Sequence, residues 1–232
     1  MRKAALISLV LLAWPVGAAA AKPPVLVELF TAQGCGSCDD ANPYFAKLAE
    51  RPGVLALTFS VDYWDYLGWA DTFAKPEFAE RQKAYVTRLK LREPYTPQIV
   101  VDGHEQAQAL KSAEVDRLVR AAAAAPRDPP EILFIGPRRV DVGSGRVGKG
   151  GADVWLIRYD PREVEVQVRA GDNRGETVVQ KNVVREIQRL GAWRGRPTAY
   201  RVPPAPEEGL KTVLVVQQAR GGRVIAVAER KS

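Results

Sequence analysis

Hydrophobic positions along the chain follow two different rhythms. Over residues 22–130, short apolar runs alternate with stretches of helical period. The runs at 25–30 and 54–61 are rich in Val, Leu and Phe and predict buried strands. A third, at 99–103, ends in the Asp102-Gly103 turn. Between them, Tyr44, Phe45 and Leu48 recur at core spacing in a helical stretch from Asp39 to Glu50, which Arg51-Pro52-Gly53 stops. Phe78, Tyr85 and Leu89 mark a second helix with Pro76 near its start, and Val115, Leu118 and Val119 share one face of a third over 112–124. From Glu131 onward the period becomes two. Strands are expected at 132–135, 153–159, 164–169, 177–185 (running on towards 188), 198–202, 212–218 and 224–229. Turns such as 171–175 and Gly221-Gly222 separate them. The change of rhythm falls where an alanine run ends in Pro126, Pro129 and Pro130, and it predicts two domains. An α/β domain would occupy 22–130, and an antiparallel, all-β sandwich-like domain 131–232.

Residues 1–21 read as a secretory signal peptide. Arg2 and Lys3 precede an apolar run over 4–16, and four alanines at 18–21 offer a small-residue cleavage site. The run is shorter than the ~20 residues of a spanning helix, and Pro15 interrupts it. The expected product is a periplasmic or secreted protein with no membrane segment after cleavage, working where disulfides persist.

Composition narrows the chemistry. With two Cys and one His in 232 residues, a disulfide-stapled scaffold, a four-thiolate zinc site and any cluster of imidazole ligands are excluded. Loss of Arg2 and Lys3 would leave +5 of the formal net charge of +7. Residues 22–130 carry 13 Lys/Arg against 15 Asp/Glu, whereas 131–232 carry 19 against 12. The basic surplus therefore belongs to the second half, which could meet an anionic partner. Nucleic acid is not expected, because no base-reading motif is present. Gly143-Ser144-Gly145-Arg146-Val147-Gly148 matches G-x-G-x-x-G, yet a strand follows it, so no helix N-terminus is there to hold a nucleotide phosphate.

Both cysteines lie in one tetrapeptide, Cys35-Gly36-Ser37-Cys38, between the first strand and the first helix. With Pro43 five residues on and Thr96-Pro97 directly before a strand, this order of elements resembles the thioredoxin superfamily over about 100 residues. More narrowly, Glu28-Leu29-Phe30-Thr31 before Gln33-Gly34-Cys35, Val61-Asp62-Tyr63-Trp64-Asp65 and Tyr95-Thr96-Pro97-Gln98 resemble the exported family known as domain of unknown function 1223. The resemblance implies a thioredoxin-like fold for 22–130. It also implies a cis Pro97 that, with Thr96, presents backbone to an extended substrate.

A Cys at the first turn of a helix lies near unpaired N–H groups and the positive end of the dipole, which favour thiolate. Cys35 would then be the nucleophile and Cys38 the resolving thiol. No cofactor beyond the redox-active pair is expected, and the partners would be protein or peptide thiols and disulfides together with a separate redox partner. Tyr95 and Trp64 would line the substrate groove, unless the aromatic segment Asp62–Trp69 is a packed insert. Asp39 and Asp40 follow the pair and oppose thiolate formation. Glu28 is the candidate proton relay, although it stands seven residues before Cys35 where thioredoxins place their acid at six. Two alternatives stay open: a binding protein with an inert bridge, and a copper or other metal carrier using His104 beside the pair.

Overall fold

The computed structural model describes residues 22–231, so the predicted signal peptide lies outside the described residues. Three helices and eleven strands form in the order β1 (Val25–Thr31), α1 (Gly36–Ala49), β2 (Val54–Ser60), α2 (Pro76–Arg88), β3 (Gln98–Val101), β4 (Glu105–Gln108), α3 (Ser112–Ala124), β5 (Ile132–Ile135), β6 (Arg139–Val142), β7 (Ala152–Gln167), β8 (Thr177–Trp193), β9 (Thr198–Arg201), β10 (Lys211–Gln218) and β11 (Val224–Glu229). None of the described helices is long and apolar enough to cross a membrane.

All seven residues of β1 are buried, because the strand lies between parallel β2 and antiparallel β3 with helices over both faces. Its side chains alternate. Leu26 and Phe30 face a core shared with Phe78 and Tyr85 of α2, whereas Val25, Val27 and Leu29 face Phe45 of α1 and Val115 and Leu118 of α3. Glycine is required at the β3–β4 turn, where Gly103 has φ +68° and a Cβ would lie 2.5 Å from the Gly222 carbonyl oxygen.

The expected α/β thioredoxin-like domain followed by an all-β sandwich-like domain is not what the chain builds. Eight strands form one mixed sheet in the order β11-β10-β7-β8-β2-β1-β3-β4, so strands from both halves share a single sheet. The join is between β2 and β8, where Thr58 pairs with Val183 in parallel. Thr58 Oγ1 donates to the Lys181 carbonyl at 2.7 Å, and Asn182 Nδ2 donates to the Ala56 carbonyl at 2.9 Å. Only β5, β6 and β9 form a separate small sheet, which covers one face of the larger one through Val140, Val142, Tyr200 and Val202. The physical reason lies in the length of β7 and β8, which at 16 and 17 residues reach across both halves.

The separate strands expected at 153–159 and 164–169 are one strand, β7, and Pro161 lies inside it. It sits in a register shift between Asp160 and Glu163, and Arg162 closes back on the Asp160 carboxylate at 2.8 Å. Such a bulge tolerates a proline inside a continuing strand. The 168–176 connection is thereby carried to the 33–35 loop of the first half.

Candidate functional site

Cys35 is the N-cap of α1, with φ −96° and ψ +116°, and its carbonyl accepts from Cys38 N at 3.0 Å. The two cysteines form a disulfide across a Cα–Cα distance of 5.4 Å. No side chain caps this helix end, so its first N–H groups lie next to the bridge. Pro43 lies inside α1, as expected.

The Thr96–Pro97 peptide is cis. It brings Thr96 to the bridge, where its Oγ1 donates to Cys35 Sγ at 3.3 Å and accepts from Trp64 Nε1 at 2.7 Å. Trp64 stacks on Tyr66 with ring centroids 6.4 Å apart, and Tyr66 is 78% exposed. These contacts unite four of the sequence-predicted residues: Cys35, Cys38, Thr96 and Trp64. Tyr95 is turned elsewhere, its hydroxyl donating to Gln106 Oε1 on β4, and burial pushes its pKa up to about 12.

Glu28 is fully buried on β1, but its carboxylate is bound to Arg81 and Tyr85 of α2. Arg81 Nε donates at 2.6 Å, and Gln217 of β10 accepts from the same guanidinium at 3.2 Å. None of those bonds leads to a sulfur, so the proton-relay expectation finds no contact to support it. His104 binds Arg223, with Nε2 2.8 Å from Nη2, and does not join the cysteines. Among the described residues no group of three or more His, Cys, Asp or Glu side chains is placed to hold a metal ion.

The segment after β2 serves mainly as a brace. Asp71 Oδ2 accepts from Gln33 N at 2.7 Å, and its Oδ1 accepts from Phe73 N and Ala74 N. Gln33 Oε1 in turn accepts from Trp69 Nε1 at 2.9 Å and Thr72 N at 3.1 Å. Burial raises the Asp71 carboxyl, against the N–H groups of Gln33 and Phe73, which favour its charge. Asp39 is likewise raised, first by burial and then by the charges of Asp40 and Glu176, while the Asn42 amide lowers it.

Sequence reasoning did not find the residues that cover the bridge. The tip of the β7–β8 hairpin rests on the cysteine loop although it lies about 140 residues away. Asn173 Nδ2 donates to the carbonyls of Gln33 and Cys35, both at 2.9 Å, and Asp172 N donates to the Gly34 carbonyl at 3.2 Å. Glycines permit the approach. A Cβ on Gly171, at φ +82°, would lie 3.2 Å from Gly34 Cα, and one on Gly36 would lie 3.2 Å from Asp172 Cβ. Under this cover Cys35 and Cys38 are each 1% exposed. The 171–175 segment is legible as a turn, but nothing in its composition says what it touches.

Solved structures repeat this architecture. A crystal structure of a protein from Agrobacterium tumefaciens matches 90% of this chain and 95% of its own at 29% identity, with a TM-score of 0.71. HBP35 of Porphyromonas gingivalis matches 91% of this chain and 76% of its own with a TM-score of 0.59; at 14% identity the likeness is one of fold alone. No curated protein matches the chain. The family model described as "Protein of unknown function (DUF1223)" matches residues 26–217, and the chain therefore belongs to the DUF1223 family.

Proposed function

We propose that the protein is a thiol–disulfide oxidoreductase whose working group is the Cys35–Cys38 pair, the chemistry available to a Cys-x-x-Cys pair at a helix N-terminus. It works in the oxidising compartment to which its N-terminal segment would direct it. The observation that carries this reading is the hydrogen bond from Thr96 Oγ1 to Cys35 Sγ at a helix N-terminus, beside a cis proline. A hydroxyl donor and free N–H groups both stabilise a thiolate relative to a thiol, and thiolate is the reactive species. Among the described residues no basic side chain accompanies them in hydrogen-bond contact with the sulfur, so the activation is moderate.

In the bridged state, a substrate thiolate attacks the Cys35 sulfur. The Cys35–Cys38 bond breaks and Cys38 leaves as a thiolate that takes up a proton. A second substrate thiol, after losing its proton, then displaces Cys35 from the mixed disulfide. The substrate leaves as a disulfide and its two electrons remain on the reduced pair. A separate disulfide partner reoxidises the pair, and running the sequence backwards reduces a substrate. Tyr66 and Trp64 offer an aromatic wall beside the sulfur for a peptide to lie against.

One observation favours the competing reading of an inert bridge: both cysteines are 1% exposed beneath the hairpin tip. Against it, a bridge closing so short a loop adds little stability, since the entropic gain grows with loop length. Equilibration in glutathione and dithiothreitol buffers, paired with an insulin-reduction assay, separates the two. An exchanging pair has a potential above about −300 mV and turns insulin over, with turnover lost in Cys35→Ser. A potential below that value with no turnover overturns the proposal.

A further inference from the structure

The basic surplus of the second half, the glycine loop at 143–148 and the single histidine take no part in the cysteine chemistry. They meet at a cleft of about 320 Å³ between the C-terminal end of α3, the glycine loop, and the β3–β4 and β10–β11 turns. The two turns are fastened together. Val224 N donates to the Asp102 carbonyl at 2.8 Å, and Gly103 leaves no room for a side chain between them. His104 Nε2 lies 2.8 Å from Arg223 Nη2, and its Nδ1 lies 3.3 Å from the Asp102 carbonyl oxygen. A guanidinium nitrogen can only donate, so Nε2 holds the lone pair and Nδ1 carries the proton. His104 thus accepts from the Arg223 guanidinium and fixes one edge of it, and among the described residues no other side chain binds that guanidinium.

Arg127 has a different task. It binds the Asp102 carboxylate, and it donates to the Ala122 carbonyl at 3.0 Å and to the Pro24 carbonyl at 3.3 Å. Its charge is committed to Asp102 and to the negative end of α3, which would otherwise repel an anion. Arg146 also lines the cleft, on a loop held at three points. Gly143 N donates to the Glu131 carbonyl at 2.8 Å, Trp193 Nε1 to the Gly143 carbonyl at 3.1 Å, and Gly145 N to the Gly195 carbonyl at 3.2 Å. The Arg127–Asp102 bridge is the cleft's one ion pair among the described residues. Two guanidiniums outside any ion pair among the described residues, Arg146 and Arg223, therefore line the cleft with one remaining carboxylate, Asp128, and with the apolar Val147 and Ile225.

We propose that this cleft binds a small anionic molecule through a phosphate or carboxylate group held by Arg146 and Arg223, its apolar part lying on Val147 and Ile225. Arginine's planar fork suits either headgroup in a bidentate grip. The volume exceeds that of a bare inorganic ion and falls in the range of small-molecule sites, ~300–1,000 Å³. The cleft stands apart from the cysteine pair, so the proposal does not depend on redox activity.

Isothermal titration of the protein with sodium pyrophosphate and, separately, with citrate tests it. The expected result is one saturable site per chain for at least one probe, weakened by added NaCl. The tighter probe names the headgroup. Arg223→Gln and Arg146→Gln should each weaken binding about tenfold, the size of one hydrogen bond to a charged group. His104→Ala should weaken it as well by releasing Arg223. Arg117→Gln, on exposed α3 surface outside the cleft, should leave it unchanged. Absence of saturable binding by both probes overturns the proposal. So does an affinity that is unmoved in the Arg146→Gln/Arg223→Gln double variant with the parent's melting temperature.

Discussion

Thr96 stands between an indole and a sulfur, accepting from Trp64 Nε1 at 2.7 Å and donating to Cys35 Sγ at 3.3 Å. The indole fixes the hydroxyl's lone pair, so its proton is directed at the sulfur. In the reduced protein that proton meets a thiolate, where a hydrogen bond to a charged group is worth about 1.5–3 kcal/mol. Thr96→Val keeps the shape and removes the donor. Since one pH unit corresponds to about 1.4 kcal/mol, the Cys35 pKa should rise by about one unit. The pH profile of iodoacetamide alkylation on the reduced protein measures this. A variant that titrates with the parent would show that the hydroxyl does not activate the thiol. The Trp64 N–H left without a partner should also cost some thermal stability, but a stability loss alone would not move the alkylation profile.

The β7–β8 hairpin matters at the scale of an element, because its tip decides whether any reagent reaches the bridge. Three hydrogen bonds, two of them from the Asn173 amide, hold the tip on Gln33, Gly34 and Cys35. Each contributes about 1 kcal/mol, so losing two favours an opened tip by more than tenfold. Asn173→Ala should therefore speed reduction of Cys35–Cys38 by dithiothreitol more than tenfold, with little change in the equilibrium potential. An unchanged rate would mean that the tip is not the barrier to access.

This cover also marks where reading the sequence stops. Local signals sufficed for β1, for Cys35 at the head of α1 and for Thr96 before β3, because each is written within a few neighbouring residues. β6 escaped notice because Arg139-Val140-Asp141-Val142 is too short and too charged to stand out, and β4 (Glu105–Gln108) is mostly polar. Asn173 was unreadable for a different reason: its partners are two carbonyls, which every residue has, so no side-chain pattern predicts the pairing.

The halves of the chain are joined by more than the β2–β8 edge. Phe30, Phe59 and Phe78 from the first half share one core with Ile157, Tyr159, Val184, Val213 and Val215 from the second. The Glu28–Arg81–Gln217 chain of bonds crosses the same boundary below the sheet. Separating the halves would expose that apolar surface and orphan buried polar groups, each costing about 1–3 kcal/mol. A partly unfolded state with only one half intact is thereby disfavoured, and a single cooperative transition is expected. Asn182 is the sharpest probe of this coupling. It sits at φ +53°, a conformation that Asn tolerates better than most residues, and it binds the Ala56 carbonyl across the join. Asn182→Ala should cost about 1–3 kcal/mol. It should also move the whole transition down as one, by far-UV dichroism and by the fluorescence of Trp64, Trp69, Trp155 and Trp193 alike. Two separated transitions in the parent, or a variant that lowers one probe's midpoint and not the other's, would show instead that the halves melt independently despite their common sheet.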